Sequence, residues 1–98
     1  SRTVVSDCHF QLAEYFLSLD DKKRANEQYF KAFEISLPSL ERARTLRTLF
    51  DLANIGHTII ALGLREDDRI QSLKESVASL EYELNQKASE IKNFRALF

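Results

Sequence analysis

Apolar residues near the start of the chain recur at intervals of three and four: Val5, Cys8, Leu12, Phe16 and Leu19. On a 3.6-residue period they form one stripe, which predicts a helix over 4–19. Asp20 and Asp21 interrupt the pattern, and a carboxylate there is placed to accept the free backbone N–H groups that open a following helix. That second helix is expected from Lys22 to Ser36, with Ala25, Tyr29, Ala32 and Phe33 on one face. Pro38, which has no N–H and disfavours helical geometry at Leu37, ends it. Ser39 is then a plausible cap for a third helix carrying Leu46, Leu49, Phe50, Ala53, His57, Ile60, Ala61 and Leu64. Gly56 sits in the middle of that helix, and Gly63 is the expected break.

From Arg65 onward there is neither glycine nor proline, so one helix of roughly 50 Å could reach Phe98. Ile70, Leu73, Val77, Leu80, Leu84, Lys87, Ile91, Phe94 and Phe98 alternate spacings of three and four, a heptad seam. β-branched residues at one core position with leucines at the other favour a parallel two-stranded coil, and Lys87 suits two strands because its stem can pack while its ammonium reaches water. This reading makes residues 1–63 a helical region and residues 64–98 a coiled-coil dimerisation helix. The competing arrangement folds the last helix back antiparallel on the third, closing a monomeric four-helix bundle.

Composition narrows the class. Ninety-eight residues with 44% hydrophobic and 30% charged content describe one small domain, and two glycines with one proline are too few for a sheet-rich fold. The chain is expected to be all-α: an antiparallel helical hairpin, a third helix and a long C-terminal coiled-coil helix. A formal net charge of -1 provides no field to attract a polyanion, so nucleic acid is an unfavoured partner. A lone cysteine, Cys8, permits no intrachain disulfide and fits a reducing, cytoplasmic setting. No apolar run reaches the roughly 18 to 20 residues of a membrane span. The absence of methionine suggests a processed chain or a piece of a longer protein.

The hairpin carries a family likeness. Leu12, Ala13, Phe16, Ala25, Tyr29 and Ala32 resemble, in type and spacing, the signature of the tetratricopeptide repeat over about 34 residues from His9 onward. His9 stands where the family has an aromatic or large apolar residue, Pro38 lies one residue late, and the same spacing after Ser39 puts Gly63 where a ring belongs. Such repeats are stable by stacking, so the resemblance implies the end of a longer array with the third helix as its cap. The alternative is a different small bundle. It also implies a ligand-binding groove lined mainly by the first helix, which nominates Gln11, Glu14 and Tyr15 as partner contacts, followed by Lys22 and Arg24.

Candidate chemistry is sparse. Cys8 and His9 diverge by about 100° on a helix and cannot act as nucleophile and base. His57 on the third-helix stripe reads as a satisfied half-buried ring, and the acidic groups Asp20-Asp21 and Glu66-Asp67-Asp68 read as helix starts, not calcium loops. Two basic clusters, Lys22-Lys23-Arg24 and Arg42-Arg44-Arg47, read as solvated faces. No catalytic residue, metal or cofactor is implied. The sequence points to a non-enzymatic protein-interaction module that homodimerises through its C-terminal helix and takes a peptide or helix ligand. A signalling relay or DNA-associated segment of a larger protein is the alternative.

Overall fold

A computed structural model describes the backbone of residues 2–64 and 67–96, and the side chains of 5–64 and 67–92. The described residues form five helices and no strand: α1 (Arg2–Ser18), α2 (Lys22–Ser36), α3 (Ser39–Arg42), α4 (Leu46–Leu62) and α5 (Asp68–Ala96). They make two antiparallel hairpins in series, α1 with α2 and α4 with α5, joined by packing of α2 on α4. The all-α class is as expected from the turn-poor composition.

The α1–α2 turn is built by backbone hydrogen bonds at the end of α1. Asp21 N–H reaches the Phe16 carbonyl at 2.9 Å and Asp20 N–H reaches Leu17 at 3.0 Å. This paired closure needs a left-handed residue, and Asp20 supplies it at φ 59°. Asp21 caps α2 by accepting from the Arg24 N–H at 3.2 Å. The tight turn lets small residues meet a ring: Ala13, Ala25 and Ala32 are completely buried around Tyr29, whose ring stands edge-on to Phe10 at 5.4 Å.

This contact rotates α1 from its expected orientation. Ser6 and Ala13 are buried and Phe10 is half-buried, whereas Val5, Cys8, Leu12 and Leu19 are exposed; of the expected stripe only Phe16 packs on the core. Close approach to Tyr29 selects the smallest side chains, and a count of large apolar residues does not register them.

The third helix starts later than expected. Ser39 opens only the single turn α3, and its hydroxyl donates to the Ser36 carbonyl at 2.5 Å instead of capping a long helix. Ala43 is extended, and α4 begins after Thr45, whose Oγ1 accepts from the Thr48 N–H at 3.2 Å while Thr48 Oγ1 accepts from the Thr45 N–H at 3.0 Å. At the other end Gly63, at φ 63°, closes α4 where the break was expected. The buried face of α4 is Leu49, Leu52, Ala53, Ile55, Gly56 and Ile59, while Phe50, His57 and Ala61 are exposed. Helix α4 packs against both α2 and α5, so it is apolar over a broad arc and no single stripe marks the buried residues.

Asp67 starts α5 by accepting from the Ile70 N–H through Oδ1 at 3.2 Å. The helix returns along α4 and places Ile70, Leu73, Val77 and Leu80 in the same core as α2 and α4. At Gly56 the three helices converge: a Cβ there would overlap Val77 Cγ2 and lie 3.5 Å from Phe33 Cε2. Arg69 fastens the start of α5 to α2, its guanidinium 4.2 Å above the Phe30 ring and paired with Glu34. Arg44 grips Glu83 with a two-pronged contact at 2.7 to 3.0 Å, and His57 pairs with Glu81. No helix among the described residues is long and apolar enough to cross a membrane.

Candidate functional site

Setting the two hairpins side by side leaves a groove of about 480 Å³. Helix α1 contributes Ser6, Asp7 and Phe10; the end of α2 and the start of α3 supply Ile35, Ser36 and Ser39; α4 supplies Arg47, Thr48, Asp51, Leu52, Asn54 and Ile55. The same α2–α4 packing that makes the core thus creates the groove, because α1 and α4 stand apart on either side of α2.

The groove's serines are already engaged by the protein. Ser6 donates to the Ala32 carbonyl at 3.1 Å, so the 2.5 Å contact between Ser6 and Ser36 must use the Ser36 proton. Ser39 is spent on the Ser36 carbonyl. What remains for a ligand is the apolar surface of half-buried Phe10 and Ile35, bordered by Asp7, Asn54 and the Arg47–Asp51 ion pair at 3.5 Å, while Leu52 and Ile55 form the buried floor. Such a cleft can seat a side chain against Phe10 and Ile35 and orient it through the polar groups around them.

Of the contact residues expected from the sequence, Gln11, Glu14 and Tyr15 are exposed on α1 but do not line the groove. Tyr15 falls instead among the exposed apolar residues of α1. Glu14 faces Tyr29 closely enough to add to the effect of burial, and together they raise the Tyr29 phenol above its usual 10.0. Lys22 is exposed in the first turn of α2. Arg24 is committed to Asp21 at 3.5 Å and lies 5.8 Å from the Phe16 ring centre. The sequence missed Asp7, Phe10, Asp51 and Asn54; the available signal was Phe10 one turn before Ala13, on the face that meets Tyr29.

Cys8 and His9 do not meet: Cys8 is exposed, and His9 Nδ1 is 2.6 Å from Gln28 Oε1 on α2. His57, expected as a half-buried ring, is exposed against Glu81. No cluster of three or more metal-ligating side chains occurs among the described residues.

The C-terminal seam divides in two. Ile70, Leu73, Val77 and Leu80 are buried inside the chain's own core, at 3 to 5% exposure, so these four have no surface to offer a second copy. Leu84 and Lys87 are half-buried and Ile91 is 41% exposed. The side chain of Phe94, and Phe98 altogether, lie outside the described residues. No family model, curated protein or solved structure matches the chain.

Proposed function

We propose that this chain is a non-enzymatic protein-interaction module in which two helical hairpins, the first resembling a tetratricopeptide repeat, hold a peptide or helical segment of another protein between α1 and α4. The observation that carries the reading is the groove of about 480 Å³, in which half-buried Phe10 and Ile35 offer apolar surface among polar residues of α1, α2 and α4. A ligand side chain entering it gains from burial at roughly 25 cal/mol per Å². Asp7, Arg47 and Asn54 would set direction by hydrogen bonding to the ligand backbone or its charges.

The groove can be blocked without touching the core, because Asn54 is exposed at its edge. Peptides selected from a random display library against the intact chain are expected to bind it in fluorescence anisotropy. They should lose at least about tenfold in affinity against Asn54→Trp, a loss of about 1.4 kcal/mol. A selection that returns no binder, or binders indifferent to Asn54→Trp, refutes the reading.

A further inference from the structure

The hydroxyls around the groove send their protons into the protein. Ser6 donates to the Ala32 carbonyl, Ser36 to Ser6, Ser39 to the Ser36 carbonyl and Thr48 to the Ala43 carbonyl. What half-buried Ser36 and Ser39 still present to a ligand is therefore oxygen lone pairs and no proton. Two carboxylates add to these acceptors. Asp7 is exposed on α1, and its carboxylate has no hydrogen bond or ion pair among the described residues. Asp51 is exposed on α4, across the groove, and meets Arg47 at 3.5 Å.

The donors at the groove are fewer and less committed to it. The Asn54 amide lies at the edge, and the Arg47 side chain is 87% exposed. An exposed pair one helical turn apart is weak, so Asp51 stays open to a competing cation. The charges bordering the groove are thus a carboxylate on each wall and a single arginine that stands in water. A ligand carboxylate would meet unpaired Asp7 and the serine lone pairs. A guanidinium, which has several N–H donors and no acceptor, matches both. Phe10 lies one turn from Asp7 on the same side of α1, and with Ile35 it supplies half-buried apolar surface on which the stem of a long cationic side chain can lie.

We propose, in an inference that rests on the groove reading above, that the segment seated there carries an arginine whose guanidinium is shared by Asp7 and Asp51 and whose stem lies on Phe10 and Ile35. Arginine fits better than lysine because its planar fork can bond both walls at once, while a compact ammonium holds its water more strongly. The groove then selects basic segments and rejects acidic ones, since an acidic side chain would lose its water and face Asp7.

The probes are fluorescein-labelled nonapeptide mixtures that share a fixed central arginine, lysine, citrulline or glutamate and are otherwise randomised over uncharged residues. In anisotropy titrations of the intact chain, the arginine mixture should bind at least about tenfold tighter than the citrulline mixture, whose neutral urea group has nearly the same shape. Lysine should fall between them and glutamate should bind most weakly. The double variant Asp7→Asn/Asp51→Asn, with both changes at exposed sites and helicity checked, should bind citrulline as the wild type does and arginine within about threefold of citrulline. Asn54→Trp should weaken every mixture. Equal binding of arginine and citrulline that Asn54→Trp abolishes overturns the proposal and leaves the groove reading standing. An arginine preference that survives the double variant also overturns it, by placing the cation elsewhere on the chain. Absence of binding, or binding indifferent to Asn54→Trp, removes the groove reading and this proposal together.

Discussion

At the scale of single residues, the absence of a side chain at Gly56 sets how closely α4 and α5 approach. A methyl group there would overlap Val77, a β-branched residue that is 3% exposed and has no room to turn aside. Overpacking costs about 1 to 3 kcal/mol, and the better helix propensity of alanine returns up to about 1 kcal/mol. Gly56→Ala is therefore expected to lower stability by about 1 to 2 kcal/mol, read as a drop of several degrees in melting temperature. Adding Val77→Ala removes the overlapping methyl groups, so the double variant should be more stable than the summed losses by at least about 0.5 kcal/mol. Strict additivity in chemical denaturation would show that the two residues do not meet. Asn26 is a different kind of residue-scale feature: it is 6% exposed, and its Oδ1 has no hydrogen-bond partner among the described residues, a cost of about 1 to 3 kcal/mol.

At the scale of elements, ends were more legible than faces. Asp21 as the cap of α2 and Gly63 as the stop of α4 follow from local chemistry that the sequence displays directly, since each satisfies backbone groups within a few residues. Thr45 and Thr48 are equally local, but the stripe through Leu46 drew attention away from them. Asp20 shows how far such local readings reach. Its left-handed backbone is unfavourable for a residue with a Cβ, even though aspartate tolerates it better than most. Asp20→Gly should stabilise the chain by about 0.5 to 1 kcal/mol in urea titration, and a loss of stability would mean that the side chain itself supports the turn. Faces were less legible because large apolar residues on α1 outnumber those it buries, and tight contacts between helices are made by Ala13, Ala25 and Ala32.

At the scale of the whole molecule, charges bridge segments distant in sequence. Arg44, in the connection before α4, holds Glu83 of α5, and this hydrogen-bonded pairing keeps the Glu83 carboxyl below its usual value of 4.5 and raises the Arg44 guanidinium. A carboxyl depressed on folding contributes stability that is present above its unfolded value and is lost as pH falls through the folded one. Glu83→Gln should accordingly melt lower than the wild type at pH 7, with the gap shrinking below about pH 4. A gap that is constant across that range would assign the effect to packing. The pair ties the segment before α4 to α5, and it is the burial of Ile70, Leu73, Val77 and Leu80 in the shared core that takes these four seam residues out of contention for a second copy.

The sequence by itself determined the helical class, the presence of four main helices, the turn at Asp20-Asp21 and the break at Gly63. These follow from spacing, from the scarcity of glycine and proline, and from groups that act within one helical turn. It also showed that α5 carries a long apolar seam, but a heptad records only that a helix has a face to cover. Whether α4 or a second copy covers it depends on which surface is nearer and better shaped, and tertiary packing decided that for Ile70, Leu73, Val77 and Leu80. The same holds for α1. Its periodicity announced an apolar stripe, and only the close fit of Ala13 and Phe10 to Tyr29 turned Val5, Leu12, Tyr15 and Leu19 outward.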